Sequence, residues 1–232
     1  MIKVAMCWDD GPATDIRLAS ICRQYGAKAT FNLCPQSIKD SPSTVPPGWQ
    51  PQSLRGQWTH KGFKGGRVGL DRLHEVYDGF EVASHCMSHE TVGPDMPPDR
   101  FLKAAVDARK FLEDEFQKSC RGFAWPCGRY DDRSVIGLQE AGFAYGRICE
   151  QTTNPQHYVN PMLLKSNAHF QDCNFWDKFD AAKANRNRFF YFWGHSYEML
   201  DSEGLWKQLE EKIRLLSEDP EVSWANVIDI VS

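Results

Sequence analysis

The sequence predicts an α/β fold, in which about seven parallel strands form a (β/α) barrel within a single domain over residues 1–232. Short apolar runs of strand length alternate with amphipathic helical repeats, which is typical of a parallel sheet covered by helices. A chain of 232 residues suits one domain better than two. Its 41% hydrophobic residues, including 14 Phe and 8 Trp, can fill a large core.

The first strand, helix and second strand begin this pattern. Residues 2–8 are almost continuously apolar, as in a strand buried on both faces, and lead into the turn-forming Asp-Asp-Gly-Pro at 9–12. Apolar residues then repeat at helical spacing over 18–25 and stop at Gly26, and residues 29–33 form the next strand. Parallel strands joined in this way need a right-handed crossover, which favours the α/β class.

Residues 35–69 interrupt the alternation with Pro, Gly, Ser, Gln and Trp. The stretch is too long for an ordinary connector, so we expect an inserted loop beside the active site. Its basic, glycine-rich end at 60–67 lacks the spacing of a nucleotide-binding loop. It is either a solvated loop or a lid over the site, and the whole stretch contains Trp49 and Trp58, whose flat rings could face a ligand.

The later segments continue the alternation of strands and helices. We expect helices over 70–77, 97–116, 132–141 and 205–216, strands over 80–84, 122–125, 143–149 and 189–193, and a short closing segment over 222–231. In a barrel of parallel strands the C-terminal strand ends meet on one rim, where reactive groups gather. The polar motifs at these strand ends therefore form the candidate site.

Charge and cysteine content exclude several classes of protein. With 27 Lys+Arg against 31 Asp+Glu and a net charge of -4, no sequence-wide field attracts nucleic acid or an anionic membrane. No apolar run reaches the ~18–20 residues of a membrane span, and no secretory signal is recognisable at the start, so a cytoplasmic location is expected. None of the eight cysteines has Cys-x-x-Cys spacing, so reduced, buried thiols are expected rather than a zinc finger or an iron–sulfur cluster.

Two motifs at the predicted rim combine carboxylates with imidazoles. Asp9 and Asp10 would repel each other unless a cation lay beside them, so we expect one to bind a metal ion and the other to accept a proton. His85 and His89 are spaced so that both could reach one ion from a single helical turn. Taken alone, Asp9 and Asp10 could belong to an ordinary turn, and His85 and His89 could be two exposed loop histidines. Together, they predict an Asp-His-His site with open positions for water and substrate.

In this order, the motifs resemble those of the polysaccharide deacetylases, the NodB-homology domain of carbohydrate esterase family 4. That family opens with Thr-Phe-Asp-Asp-Gly-Pro and binds metal through His-Ser/Thr-x-x-His. Residues 7–12 match the first of these motifs, and residues 85–89 match the second in spacing. Ala29-Thr30-Phe31 resembles the family's second strand. The family's late motifs are resembled by Asp172, Trp176 and His195. The resemblance implies a distorted (β/α) barrel and an enzyme that removes an acetyl group by hydrolysis.

The resemblance also implies a role for each of these residues. Asp10, His85 and His89 would hold one divalent metal ion, most readily Zn²⁺, with Co²⁺, Ni²⁺ or Mn²⁺ as alternatives. Asp9 would be the general base and His195 the general acid. Asp172 would orient His195.

The third motif departs from the family pattern, which is commonly Arg-Pro-Pro-Tyr-Gly. Here residues 124–128 are Ala-Trp-Pro-Cys-Gly, so the arginine that would steady the base is missing. The turn is kept, and the backbone N–H of Cys127 could still stabilise an oxyanion. The predicted substrate-binding residues are Trp125, Pro126, Cys127, Gly128 and Trp176.

Arg147 is the hypothetical replacement for the missing arginine. It interrupts the otherwise apolar strand 143–149, where an unpaired charge would be costly. A salt bridge at the rim is the alternative for Arg147, and Arg121 and Arg129 are competing cations nearer in sequence.

The predicted function is metal-dependent hydrolysis of the N-acetyl amide of an amino sugar, in an oligosaccharide or small glycoconjugate, with release of acetate. Carbohydrate is the expected partner, with no nucleic acid and no membrane, and the oligomeric state is left open. One alternative is an amidohydrolase acting on a non-sugar N-acyl or cyclic amide. Another is a catalytically silent carbohydrate-binding barrel.

Overall fold

Nine parallel strands form one sheet in the computed structural model, which describes residues 1–40, 66–200 and 202–232. The predicted α/β barrel is confirmed, with two more strands than expected. Along the sheet the order is β6-β5-β4-β3-β2-β1-β8-β7, and β9 pairs with β1. The strands are β1 Ile2–Asp9, β2 Thr30–Leu33, β3 Glu81–Ser84, β4 Gly122–Ala124, β5 Tyr145–Gln151, β6 Leu164–Ser166, β7 Ala168–His169, β8 Phe189–Gly194 and β9 Val222–Ala225.

Helices cover the outside of this sheet. The longest, α4, begins at Pro98, where proline costs no helical hydrogen bond, and buries one apolar face. The buried residues of that face, from Phe101 to Phe116, recur every three or four positions, as a helix packed on a sheet requires. The helices are α1 Asp15–Gln24, α2 Pro35–Asp40, α3 Leu73–Tyr77, α4 Pro98–Phe116, α5 Asp132–Glu140, α6 Phe175–Ala184 and α7 Glu203–Glu218.

The segment 164–169 nearly closes the sheet into a barrel. Its first half, β6, pairs with β5, and its second half, β7, pairs with β8. Between them, the Asn167 backbone N–H donates to Tyr191 O at 2.6 Å, and Asn167 Oδ1 accepts from Tyr191 N at 2.8 Å. The Asn167 side chain also donates to the carbonyls of Thr152 and Thr153. One short segment therefore joins the two ends of the sheet.

Side chains on the strands alternate between the helices and the barrel interior. On β1, Met6 belongs to the large core shared with α1 and α7, whereas Cys7 belongs to a second core. That second core includes Tyr145 of β5 and Tyr191 of β8, so it lies inside the barrel. Both faces of β1 are therefore buried, which explains why residues 2–8 are almost continuously apolar.

Several elements differ from the sequence predictions. Residues 35–40 form α2 instead of the start of a loop, and residues 41–65, with Trp49, Trp58 and most of the basic segment, lie outside the described residues. Strand β5 runs two residues later than predicted. Strands β6 and β7 and helix α6 were not predicted at all, because the strands have three and two residues and the helix has no side-chain cap.

The described end of the predicted insertion lies against the Asp-Asp-Gly-Pro turn. Val68 N donates to Gly11 O at 3.0 Å, and Ala13 N donates to Gly66 O at 2.8 Å. This part of the stretch is therefore beside the strand end that carries Asp9 and Asp10. Within the described residues, the helices are all too short or too polar to cross a membrane.

Candidate active site

Alternation along the strands brings polar side chains into the C-terminal mouth of the barrel. Asp9 is the next inward position after Cys7 on β1, and Asn32 is its register partner on β2. Arg147 on β5 and His195, just beyond β8, occupy equivalent inward positions. The buried mouth thus collects charged and polar groups from strands that are distant in sequence.

Asp10, His85 and His89 bring three possible metal ligands together. Asp10 Oδ1 is 3.6 Å from His85 Nε2 and 4.0 Å from His89 Nε2, and the three ligand atoms all lie within 4.8 Å of one another. Two ligands bound tetrahedrally at ~2.1 Å from an ion are about 3.4 Å apart. The three side chains therefore need only move slightly closer together to bind one ion. One carboxylate oxygen and two imidazole nitrogens suit zinc and its neighbours in the transition series. The residues present therefore fit a divalent metal ion.

The backbone orients both histidines towards Asp10. The 2.8 Å hydrogen bond between His85 Nδ1 and Ala124 O assigns the proton to Nδ1 and leaves the Nε2 lone pair directed at Asp10. Residues 85–89 form a tight turn and not the expected helical turn, with a left-handed backbone at Cys86 and His89. The two imidazoles nevertheless lie with their centroids 4.7 Å apart.

Left-handed backbone conformations cluster at this rim. In the described residues, six non-glycine residues have positive φ, and four of them belong to the site. Each such conformation costs ~1–3 kcal/mol and persists where the surroundings demand it, commonly at functional sites. The four are Asp10, Cys86, His89 and Cys127.

Each carboxylate oxygen of Asp9 has a hydrogen-bond donor. Asn32 Nδ2 donates to Oδ1 at 2.7 Å, and Arg147 donates to Oδ2 through a short hydrogen bond. Oδ2 also lies 3.9 Å from both His85 Nε2 and His195 Nε2. Burial alone would raise the pKa of Asp9, but the Arg147 guanidinium and the two imidazoles hold it well below its usual range. Asp9 is therefore held in its ionised form, which is able to accept a proton.

Arg147 is buried inside the barrel and contacts Asp9, so it does not form the alternative salt bridge at the rim. Its guanidinium lies 4.4 Å from the centre of the Trp193 ring. Burial tends to lower the pKa of Arg147, but the Asp9 charge holds it well above its usual value. The competing Arg121 and Arg129 are exposed.

His195 lies beside Asp9 in the mouth, with Nε2 facing Asp9 Oδ2. Its Nδ1 is hydrogen-bonded to Glu198 Oε1 at 2.7 Å, and Glu198 is three residues further along the same turn. Burial alone would lower the pKa of His195, but the hydrogen bond and charge of Glu198 raise it above its usual value. Glu198 therefore favours the protonated form of this imidazole.

Asp172 does not orient His195, contrary to the expectation from the family motif. Its carboxylate accepts from Gln151 Nε2 at 2.9 Å, from Lys178 and from the backbone N of His169. The expectation failed because Asp172 lies in the turn after β7, where it caps local N–H groups, while Glu198 occupies the place beside His195.

The third motif divides between core and surface. Trp125 is fully buried, donates from Nε1 to Met162 O at 2.7 Å and stacks on Phe101, so the prediction that it binds substrate is wrong. Pro126 is buried beside it. Cys127 and Gly128 follow at the rim with positive φ, and Cys127 is exposed.

Trp176 is half-exposed on α6, where it packs edge-on against Phe175 and Phe179. It lines a groove between α6 and α7 together with Asp172 and Lys212. The described contacts of Trp176 therefore connect it to this groove and not to Asp10, His85 or His89. All eight cysteines are free thiols, but only five are buried, fewer than expected.

Three polar residues of the site were missed from the sequence. Asn32 could have been found, because strand alternation places it opposite Asp9. Glu198 could have been found from its spacing, since a carboxylate three residues after a helix-capping position folds back on that position. Nothing in the sequence indicates His169, because it lies on the two-residue strand β7.

The sequence model described as polysaccharide deacetylase matches residues 2–146. No curated protein is significantly similar to the chain in sequence. Solved structures are similar in fold at low sequence identity. A family 4 acetyl xylan esterase from Clostridium thermocellum, in complex with cobalt, has a TM-score of 0.57 and 14% identity over 98% of this chain and 89% of its own.

Two further structures have the same fold. Peptidoglycan deacetylase PdaC from Bacillus subtilis has a TM-score of 0.55 and 16% identity over 99% of this chain and 89% of its own. A pseudoenzyme of carbohydrate esterase family 4 from Bacillus anthracis has a TM-score of 0.60 and 13% identity over 99% of this chain. This chain spans 65% of that pseudoenzyme, less than two thirds of its length.

Proposed function

This chain belongs to the polysaccharide deacetylase family, and on that premise we propose that it is a metal-dependent deacetylase of amino sugars. Hydrolases of this family act on carbon–nitrogen bonds other than peptide bonds, and its structural neighbours also include an acetyl xylan esterase and a pseudoenzyme. The proposed reaction hydrolyses the N-acetyl amide of an amino sugar in an oligosaccharide or small glycoconjugate and releases acetate and a free amine. The observation that carries it is that His195 Nε2 lies 3.9 Å from Asp9 Oδ2, beside three side chains that could hold a metal ion.

Asp10, His85 and His89 would hold the metal ion, which we propose to be Zn²⁺, with Co²⁺, Ni²⁺ or Mn²⁺ as alternatives. When bound, a divalent ion polarises an amide carbonyl and lowers the pKa of a water molecule towards about 7. Arg147 and Asn32 hold Asp9 in one orientation. Asp9 accepts the proton of the attacking water at Oδ2, the oxygen that faces the two imidazoles.

His195 would supply the second proton transfer, from a position beside Asp9. The C–N bond breaks readily only when the leaving nitrogen is protonated, so a separate acid is needed. His195 donates this proton from Nε2, which is directed into the mouth because Nδ1 is held by Glu198. The backbone N–H of Cys127 would stabilise the developing oxyanion.

Two of the fold relatives support a carbohydrate substrate. One is a peptidoglycan deacetylase and the other an acetyl xylan esterase, and both keep the fold over almost the whole of this chain. The basic, aromatic character of residues 35–69 and the half-exposed Trp176 would add sugar-binding surface.

Acetate release from defined N-acetyl chitooligosaccharides tests the proposal, with insoluble chitin and simple non-sugar amides assayed in parallel. The zinc-loaded protein should deacetylate the oligosaccharides, Asp9→Asn should retain zinc but lose ~10³-fold or more in kcat, and His85→Ala should lose zinc. Faster turnover of a non-sugar amide would favour the amidohydrolase, and faster turnover of chitin would reject the preference for short substrates. Equal activity in all three proteins would reject the mechanism, and no release from any substrate would favour a silent binding barrel.

A further inference from the structure

Behind His195, one carboxylate oxygen connects two histidines from different parts of the chain. Glu198 Oε1 accepts from His195 Nδ1 at 2.7 Å, from the His195 backbone N at 3.1 Å and from His169 Nε2 at 3.1 Å. His169 lies on β7, the strand that helps to close the barrel. We propose that Glu198 and His169 are positioning residues that hold the His195 imidazole in place for proton transfer.

The hydrogen bonds determine which nitrogen of each ring carries the proton. His169 Nδ1 accepts from the backbone N of Gln171 at 3.3 Å, so its proton is on Nε2 and is donated to Glu198. His195 donates from Nδ1 to the same oxygen, which directs Nε2 into the mouth. A carboxylate that binds one ring nitrogen fixes both the tautomer and the orientation of a catalytic imidazole.

Packing around the two rings limits their rotation. The Trp193 ring lies edge-on to both imidazoles, with centroids 5.1 Å from His169 and 5.4 Å from His195. Tyr197 stacks on the His195 ring at 4.9 Å. Ser196, which follows His195 in the chain, is anchored by hydrogen bonds to Asp15 and Thr14. The ring and the backbone that follows it are therefore both held.

The three side chains could also be considered as a second metal site, because their ligand atoms lie within 4.8 Å of one another. Both ring protons, however, already point at the same oxygen of Glu198. A metal ion there would have to displace both protons and would remove His195 from proton transfer. We therefore assign the cluster to positioning.

Because this inference rests on the proposed role of His195 as the acid, its test compares two leaving groups. An N-acetyl amino sugar needs a protonated leaving nitrogen, whereas 4-nitrophenyl acetate releases a phenolate that needs no proton. In the zinc-loaded protein, Glu198→Gln should lower kcat on the amide ~10²-fold and on the ester no more than about 3-fold. His169→Leu should change the amide-to-ester ratio in the same direction by ~10-fold.

Two matched variants separate positioning from general damage. His169→Gln keeps an N–H donor near the position of Nε2 and should restore most of the amide activity that His169→Leu loses. His157→Leu alters an exposed histidine whose only described side-chain contact is with Asn154, and should behave as wild type. Metal content should stay at one ion per chain in every variant.

A proton resonance provides a readout that is independent of turnover. In protein labelled with ¹⁵N-histidine, the His195 Nδ1 proton should appear far downfield in the metal-free wild type and in His169→Gln, and should move upfield or vanish in Glu198→Gln. An unchanged resonance and an unchanged amide-to-ester ratio in Glu198→Gln overturn the positioning role alone. Equal losses on both substrates, or a second metal ion that His169→Leu removes, also overturn it. A wild type that hydrolyses neither substrate overturns the proposed function itself.

Discussion

The ion pair of Arg147 and Asp9 is buried in the mouth of the barrel, away from solvent. Desolvation of two charges is costly, so such a pair stabilises the fold little compared with apolar residues of the same volume. Removing one partner is much worse, because it leaves the other charge buried and unpaired. The role of the pair is therefore to keep Asp9 ionised and in one orientation, and not to stabilise the fold.

Arg147→Met tests the role of this pair. We expect kcat to fall at least ~10²-fold and the free energy of unfolding to fall by roughly 3–5 kcal/mol, because Asp9 loses its cation. Arg129→Met is the matched control, since Arg129 is exposed, and should change neither quantity appreciably. An unchanged kcat in Arg147→Met with normal metal content would reject the role of Arg147 as the replacement arginine.

Glu198 should make stability depend on pH. Burial would raise its pKa, but the hydrogen bonds from His169 and His195 lower it from 4.5 to about 2. A depressed folded pKa gives stabilisation that is complete above pH 4.5 and is lost as the pH falls towards 2. The raised pKa of His195 gives stabilisation that is complete below pH 6.5 and is lost as the pH rises through the folded value.

The two effects describe one interaction, so its contribution should be greatest between pH 4.5 and 6.5. Urea unfolding of metal-free wild type and Glu198→Gln should differ by on the order of 1–3 kcal/mol in that window. The difference should shrink towards pH 2 and above neutrality. A difference that is constant over the whole range would show that Glu198 is not paired with a titrating histidine.

At the scale of elements, β5 passes close to the hydrogen bond between Trp125 and Met162 at Gly146, the residue before Arg147. A Cβ on Gly146 would lie 2.5 Å from Trp125 Nε1 and 2.7 Å from Met162 O, the two atoms of the hydrogen bond that crosses β5. Glycine at this position therefore permits the contact between Trp125 and Met162. Because Gly146 precedes Arg147 on β5, a shift of the strand at Gly146 would also move Arg147.

Gly146→Ala should consequently destabilise the protein by ~2–3 kcal/mol and lower kcat, because the methyl group must displace Trp125 or Met162. Gly93→Ala is the control, since a Cβ there has open space around it, and should leave both values near wild type. Thermal unfolding together with acetate release measures the two effects. If Gly146→Ala matches Gly93→Ala, the strand does not position Arg147 in this way.

The sequence predicted long and strongly patterned elements but not short ones. Strand β1 was predicted because residues 2–8 form a continuous apolar run, and helix α4 because its buried positions follow a period of 3.6 residues. The strands β6 and β7 are too short to show any period, and α6 begins without a capping side chain. Helix α2 was taken for loop because Pro35 is followed by polar residues, although proline is well tolerated at the first helical position.

The same limit explains the predictions made for the site. Asp9, Asp10, His85, His89 and His195 stand at ends of elements that the pattern revealed. The contact of Arg147 with Asp9 could be proposed because a charge inside an apolar strand needs a partner. The place of His169 depends on how the closing segment folds against β8, which local sequence does not determine. Glu198 was missed although its spacing from His195 is that of a capping carboxylate.

For the whole molecule, barrel closure depends on a small number of contacts around Asn167. Its side chain donates to the carbonyls of Thr152 and Thr153 and accepts from Tyr191 N. These bonds join the end of β5 to β8 on the side where β7 and His169 lie. Closure of the barrel and the place of His169 behind the candidate acid are therefore coupled.

Asn167→Asp should destabilise the protein by about 3 kcal/mol, because a carboxylate cannot donate to the two carbonyls and would be buried there. Asn174→Asp is the control, since Asn174 is exposed at the start of α6 and the exchange should cost less than ~0.5 kcal/mol. Urea unfolding at neutral pH measures both. Equal stability of the two variants would show that Asn167 does not hold the ends of the sheet together.

Binding of Zn²⁺ to metal-free protein, followed by titration calorimetry and checked by elemental analysis, tests the central claim most directly. The wild type should bind one equivalent of Zn²⁺ tightly. The affinity for Zn²⁺ should fall by ~10²-fold or more in each of the variants Asp10→Asn, His85→Ala and His89→Ala. The control His74→Ala, on an exposed face of α3, should bind Zn²⁺ as the wild type does. If the three variants bind Zn²⁺ as tightly as the wild type, these side chains do not share an ion and the proposed mechanism is wrong.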